Sequence, residues 1–199
     1  SNVDMSLMKA EYLYQYHQKK NRPIRDYLMT GLPRWSDRFP RITKATIDWL
    51  NGPLSFAKSM FRLTHLRPLP EISVRSWYKE ANDHHFKGAI NGQNSVLVMC
   101  DEFTNHFDPN LGVQFIELLG CLGYQPLLMP PMDSGRAWIS KGMLGQARMR
   151  IDKNLRLLNV VADSEIPIVG LEPSALLAMR DEWQKLCSPE LVNIANGWA

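Results

Sequence analysis

Residues 95–100 read Ser-Val-Leu-Val-Met-Cys, a short apolar run rich in residues that favour β-strands. The polar residues 101–106 follow it, and an apolar helical period then extends to Gly123, where glycine favours the end of a helix. The members of this period are Leu111, Phe115, Leu118, Leu119 and Leu122. The pattern predicts one β-strand followed by one α-helix.

Two further strand and helix pairs come after this unit. Residues 125–130 and 166–171 predict the second and third strands, and helices are predicted over 140–161 and 174–186. The apolar face of the longer helix consists of Met143, Ala147, Ile151, Leu155 and Leu158. Continuous apolar strands separated by helices predict a parallel sheet covered on both faces. The expected fold class is therefore α/β, a three-layer Rossmann-like unit with a short parallel sheet of about three strands.

The first half of the chain has a different pattern. A helix is predicted over residues 5–19, with Met5, Met8, Tyr12 and Tyr16 at helical spacing and Asp4 as its N-cap. Between residues 23 and 70, Gly and Pro interrupt short helical patterns repeatedly, which predicts several short helices without a sheet. We therefore expect a helical N-terminal extension over 1–90 and an α/β domain over 91–199.

Composition and charge narrow the class of protein. The chain has 199 residues, of which 45% are apolar, enough for one sizeable core. No apolar run is long enough for a membrane span and no secretory pattern opens the chain, so a cytoplasmic location is expected. Residues 1–90 carry 15 Lys and Arg against 8 Asp and Glu, but these charges are scattered among aromatic residues. That scatter favours a solvated or partner-facing surface over nucleic-acid binding.

Three cysteines are present, widely spaced and without a CxxC pair. This spacing predicts no metal site within the chain. Cys121 and Cys187 are interpreted as small buried hydrophobic residues on helices. Cys100 lies at the end of the first strand, where it is either a packing residue or a possible reactive thiol or ligand.

Sites in parallel sheets lie at the carboxyl ends of the strands. We expect the segments that follow the strands to meet in one crevice, formed by Asp101, Thr104, Asn105, Asp133, Ser134, Gly135, Arg136, Glu172 and Ser174. Residues 133–136 can offer backbone N–H groups and a guanidinium to a small anion. The alternative is that Gly135 permits a tight turn and that Arg136 pairs with Asp101 or Glu172. His106 needs a carboxylate or cysteine neighbour to act as a base or ligand.

Glu172 also has two interpretations. Glu172-Pro173-Ser174 is a typical helix start, in which the acidic residue lies at the positive end of the helix dipole. A general-acid role for Glu172 requires a pKa raised by burial or by a neighbouring carboxylate such as that of Asp133. The first interpretation is the simpler one.

Three stretches carry a resemblance to a known family: residues 101–109, 134–142 and 170–182. They resemble the cysteine-rich (CCG) domain of heterodisulfide-reductase-like subunits, which is also found in the iron-sulfur region of FAD-linked 2-hydroxyacid dehydrogenases of the D-lactate or glycolate type. Residues 1–5 resemble the sequence that follows a ferredoxin-type module in these proteins. The resemblance implies a fragment of a larger enzyme, whose flavin and ferredoxin-type domains are its partners.

The chain departs from that family at the cysteine positions, where Asp133, Ser134 and Ala175 stand instead. Oxygen and methyl side chains are poor substitutes for the thiolates that hold an iron-sulfur cluster. We therefore expect no cofactor in this fragment. The resemblance implies that FAD and the iron-sulfur cluster are bound elsewhere in the parent polypeptide. It also allows a peripheral location of the parent enzyme at a membrane. The fragment alone is not expected to be catalytic. The alternatives are a structural module that docks the ferredoxin and flavin domains, or a small-anion-binding domain.

Overall fold

The structure is a computed structural model that describes residues 4–64, 66–83, 94–159 and 166–198. Its elements in chain order are α1 (Met5–Lys19), α2 (Ile24–Arg38), α3 (Pro40–Asn51), α4 (Ala57–Met60), α5 (Trp77–Asp83), β1 (Ser95–Val98), α6 (Glu102–Phe107), α7 (Pro109–Cys121), β2 (Gln125–Leu128), α8 (Arg136–Ser140), α9 (Leu144–Leu158), β3 (Ile168–Val169), α10 (Pro173–Leu186), a 3₁₀ turn (Pro189–Leu191) and α11 (Val192–Gly197). The described part of residues 23–70 contains helices and no strand.

A three-stranded parallel sheet lies at the centre of the fold. The strand order is β2-β1-β3, with Ser95 opposite Gln125 and Leu97 opposite Ile168. An isolated bridge between Asp101 and Met132 continues the pairing of β1 and β2 beyond the strand ends. The predicted α/β class is confirmed, although each strand is shorter than the apolar run that predicted it.

Alternation along β1 divides the core into two layers. Leu97 and Met99 belong to a large apolar cluster with α9 and α10, whereas Val96, Val98 and Cys100 pack on the opposite face with α5 and α7. Side chains of successive strand residues point to opposite faces, so one continuous apolar run covers both sides of the sheet. Helices therefore lie on both faces, as the three-layer prediction requires.

The helical first half is packed against this sheet. Helix α1 begins after Asp4, whose carboxylate accepts hydrogen bonds from the N–H groups of Ser6 and Leu7, as predicted for an N-cap. Its Ala10 is buried in the large cluster, whereas the apolar residues used to predict the helix lie on its exposed side. These exposed residues are Met5, Met8, Tyr12 and Tyr16.

On the other face of the sheet, α5 covers α7 through Trp77. The indole is fully buried, and a Cβ placed on Gly112 of α7 would come within 2.3 Å of its Cδ2 atom. The Trp77 indole therefore occupies the space that a side chain at position 112 would fill.

The predicted long helix is wrong at its start. A short α8 ends at Ser140, Gly142 takes a left-handed φ of 64°, and α9 begins at Leu144. The left-handed backbone of Gly142 separates the two helices at a close contact with α1. An added Cβ there would lie 2.6 Å from the Cβ of Leu13, so this contact requires glycine. The predicted end at Val161 lies outside the described residues. The apolar face predicted for this helix is confirmed as buried.

Two cysteine predictions have different outcomes. Cys187 is buried, as expected, but Cys121 is exposed at the end of α7. In the last turn of α7, Leu119 packs into the core, whereas Leu118, Gly120 and Cys121 are exposed. Among the described residues, no helix combines the length and the apolar content needed to cross a membrane.

Candidate functional site

The segments that follow β1 and β2 meet through a buried polar network centred on Ser134 and Glu102. Ser134 donates from its backbone N–H to Glu102 Oε2 at 2.8 Å and from its hydroxyl to Oε1 at 2.7 Å. The indole N–H of Trp183 donates to the carbonyl of Ser134 at 2.8 Å. Burial, and next the nearby Asp133 carboxylate, raise the pKa of Glu102 to about 8. This shift favours the neutral form of the Glu102 carboxyl.

Asp133 is held by a second set of contacts beside this network. Its Oδ1 accepts from the N–H of Gly135 at 3.0 Å, and its Oδ2 accepts from Trp138 Nε1 at 3.0 Å and from Arg150 Nε at 2.7 Å. The guanidinium of Arg150 lies 3.9 Å above the Trp138 ring, so the same cation makes an ion pair and a cation–π contact. The carbonyl of Asp133 accepts from the Asn154 side chain at 2.8 Å.

The expected anion site at the start of α8 is closed by oxygens of the protein itself. The N–H groups of Ser134, Gly135 and Arg136 donate to Glu102, to Asp133 and to the Ser134 hydroxyl, respectively. Gly135 has a φ of 81°, which supports the predicted tight turn. The Arg136 guanidinium pairs with Glu182 on α10, not with Asp101 or Glu172. That pairing corrects the sequence prediction, because the turn of Gly135 directs α8 toward α10.

Asp101 and Glu172 both cap helices. Asp101 Oδ1 accepts from the N–H groups of Phe103 and Thr104, each at 2.9 Å, while its Oδ2 has no hydrogen-bond partner among the described residues. Burial raises the pKa of Asp101, and the Glu172 carboxylate adds to that shift. Glu172 caps α10 by accepting from the N–H of Ser174 at 3.2 Å and from its hydroxyl at 2.6 Å. Both carboxylates thus have local structural roles, in line with the simpler interpretation of Glu172.

The residues predicted to share a crevice are divided between two cavities. Arg136, Glu172 and Ser174 line an open groove beside α10, whereas Asn105 and Asp133 line a separate cleft. Asp101, Thr104, Ser134 and Gly135 are fitted into the packed protein around them. The backbone segments that follow the strands do meet at the carboxyl edge of the sheet. Their polar side chains are nevertheless separated, because each pairs with a different partner.

Cys100 is a core residue in this arrangement. Its side chain is fully buried on the α5 and α7 face, and its Sγ donates to Asn105 Oδ1 at 3.4 Å. Burial, and then the Asp101 charge, raise the pKa of the thiol above its usual range. The thiolate needed for nucleophilic or ligand chemistry is therefore disfavoured at Cys100.

Three residues of a cleft beside this network, His106, Glu102 and Asp37, were not among the residues predicted to form the crevice. His106 acquires the carboxylate neighbour that the sequence alone did not supply, because its Nε2 lies 3.0 Å from Oδ1 of Asp37 on α2. Glu102 follows Asp101 directly, and an acidic pair after a strand is the only sequence signal that pointed to it. Asp37 lies on another element, far from His106 in the sequence, and no local pattern identifies it.

The cleft that contains these groups lies between α2, α6 and α9. We call it the polar cleft, and it has a volume of about 410 Å³. Its lining residues are Pro33, Arg34, Asp37, Glu102, Asn105, His106, Pro131, Met132, Asp133, Gln146, Met149, Arg150, Lys153 and Asn154. Its volume lies within the range typical of pockets for small molecules.

The donor set at the strand ends does not fit an iron-sulfur cluster. Asp133 and Ser134 direct their oxygens to Arg150, Trp138 and Glu102, and Ala175 is a buried methyl group. Clusters of this kind depend on thiolates, and Cys100 has no second cysteine beside it in the described part of the chain. Within that part, no group of three or more His, Cys, Asp or Glu side chains is placed to hold a metal ion.

Comparison with known proteins gives a consistent set of relatives. The chain is 28% identical over 210 residues to D-2-hydroxyglutarate dehydrogenase of Escherichia coli, an alignment that covers 98% of this chain and 20% of the relative. Proteins of the same name from Pantoea ananatis and Haemophilus influenzae are 28% and 23% identical, over 92% of this chain and 19% of each relative.

No model of a known protein family matches the chain, and no solved structure gives a significant match. The chain spans about a fifth of the length of the curated relatives that it matches.

Proposed function

We propose that this chain is a segment of an FAD-linked dehydrogenase acting on a D-2-hydroxyacid, with D-2-hydroxyglutarate as the substrate of the whole enzyme. The segment belongs to the iron-sulfur region of that enzyme and has lost its own cluster. The observation that carries this proposal is the similarity to D-2-hydroxyglutarate dehydrogenases along nearly the whole chain. FAD and iron-sulfur chemistry are supplied by other parts of the same polypeptide.

The geometry at the strand ends supports a structural role for this segment. Each side chain at a proposed former cysteine position has a partner or a packing role: Ser134 bonds Glu102, Asp133 bonds Arg150, and Ala175 fills the core. These contacts link α6, α8 and α9 in the place where the family resemblance implies a cluster. A polar network thus stabilises the strand ends.

The exposed surface of the helical half supports docking to the flavin and ferredoxin-type domains of the parent polypeptide. Large apolar side chains are exposed on α1 and along α2 and α3. They include Met5, Met8, Tyr12, Tyr16, Trp35, Phe39, Ile42 and Trp49. A surface of this kind is typical of an interface between domains of a larger protein.

The activity is tested with the full-length polypeptide that contains this chain. We expect it to reduce an artificial electron acceptor when D-2-hydroxyglutarate is added, and we expect the 199-residue chain alone to show no turnover. A full-length protein that contains flavin but does not oxidise D-2-hydroxyglutarate would contradict the substrate assignment.

The loss of the cluster is tested separately on the chain itself. Anaerobic incubation with iron and sulfide, followed by desalting, should leave no absorbance in the visible range. A stable brown protein with bound iron would contradict the proposal that the cluster has been lost, while leaving the dehydrogenase assignment intact.

A further inference from the structure

We propose that the polar cleft between α2, α6 and α9 binds a small anion with two carboxylates. The inference concerns binding to the folded chain alone and does not depend on the proposed function. It does not place the anion on the N–H groups of residues 134–136, which already donate to oxygens of the protein.

The walls of the polar cleft carry two cations that have no ion-pair partner. Arg34 projects from α2 and Lys153 from α9, and neither makes a salt bridge with any residue in the part of the chain that the structure describes. The third cation, Arg150, is paired with Asp133. Two such cations on different helices of the same cleft are suited to a ligand with negative charge at both ends.

The floor of the polar cleft is polar and buried. Asn105 is 1% exposed and His106 is 2% exposed, yet both line the cavity. The Asn105 amide is oriented by the backbone N–H of Tyr78, which donates to its Oδ1 at 3.0 Å and leaves Nδ2 on the His106 side. Oriented polar groups at the base of a concave site are typical of binding sites for small polar ligands.

The balance of charge in the polar cleft favours an anion at neutral pH. Asp133 is paired with Arg150, and burial, followed by the Asp133 carboxylate, raises the pKa of Glu102 to about 8, which favours its neutral form. Of the lining carboxylates, Asp37 contacts His106 and Asp133 contacts Arg150, so none that the structure describes makes a salt bridge with Arg34 or Lys153. A dicarboxylate would neutralise both cations in a cavity of about 410 Å³.

The direct test is calorimetric titration of the chain at pH 7 with D-2-hydroxyglutarate, succinate, acetate and inorganic phosphate. We expect both dicarboxylates to bind, and acetate to bind roughly tenfold more weakly because it meets only one of the cations. The proposal would be overturned if one or both dicarboxylates failed to bind, or if acetate or phosphate bound as tightly as succinate.

Exposed variants locate the site without disturbing the core. Arg34→Gln and Lys153→Gln are each expected to weaken succinate binding roughly tenfold. Lys9→Gln, on the exposed side of α1 and outside the polar cleft, is the matched control and should leave affinity unchanged. Succinate affinity that is unchanged in both cleft variants would overturn the assignment. Succinate-induced changes in amide NMR shifts that cluster in the open groove beside α10, and not at Asn105 and His106, would also overturn it.

Discussion

Ser134 and Glu102 are 32 residues apart in the chain and are joined by two hydrogen bonds, one from the backbone N–H and one from the hydroxyl of Ser134. Both residues are buried, so this pair ties the loop after β2 to the first turn of α6 in a region without solvent. The N–H and hydroxyl groups of Ser134 donate to Glu102 and are therefore not available to bind an anion.

Ser134→Ala should destabilise the protein by about 1–3 kcal/mol, because it leaves a buried oxygen of Glu102 and the N–H of Arg136 without their partner. The free energy of unfolding in urea measures the change. Ser140→Ala is the control, since the Ser140 hydroxyl is exposed and bonds only its own helix at Ala137. Equal effects of the two substitutions would contradict a special role for the Ser134 pair.

Glu102 makes stability depend on pH. Its pKa is about 8 in the folded protein and near the ordinary value of 4.5 when unfolded, so between these values the folded state binds the extra proton. The contribution of Glu102 is fully present below pH 4.5 and is lost as pH rises through about 8. Relative to Glu102→Gln, the wild type should lose up to about 1.4 kcal/mol of stability per pH unit within this window.

Urea unfolding of both proteins at several pH values between 5 and 8 checks this prediction. Other titrating groups are common to the two proteins, so the difference in unfolding free energy isolates Glu102. A difference that stays constant with pH would show that the carboxyl is ionised in the folded state.

Gly112→Ala should destabilise the protein by about 1–3 kcal/mol, because the new methyl group would overlap the ring of Trp77. Gly120→Ala provides a control in the same helix, where nothing lies within 4 Å of the added Cβ. Helix propensity predicts that Gly120→Ala stabilises the protein by up to about 1 kcal/mol. Thermal unfolding followed by Trp fluorescence distinguishes the two; a stabilising Gly112→Ala would contradict the tight Trp77 packing.

Gly142→Ala should loosen α1 from the domain. The left-handed φ at this position costs about 1–2 kcal/mol for a residue with a Cβ, and the added atom would lie 2.7 Å from the backbone N of Tyr14. Hydrogen exchange of the α1 amides should become faster, while exchange in β1 changes little. Gly145→Ala, with open space around it in α9, should leave α1 exchange unchanged. Unchanged exchange in Gly142→Ala would show that α1 is not held at this contact.

The sequence by itself determined the local elements. The cap at Asp4, the apolar run at 95–100 and the period that ends at Gly123 each predict their element, because helix and strand formation depend on neighbouring residues. It also identified Gly135 as a turn and Glu172 as the start of a helix. The break at Gly142 was not predicted, because its cause is a contact with α1.

Tertiary structure alone decided which polar groups meet. Glu102 bonds Ser134, Arg136 bonds Glu182, and His106 meets Asp37, and in each case the partners lie on different elements. Such pairs depend on the angle at which helices pack on the sheet, which no local pattern encodes. That is why the sequence placed the polar residues at the correct edge of the sheet, whereas only the fold separated them into a closed network, an open groove and the polar cleft.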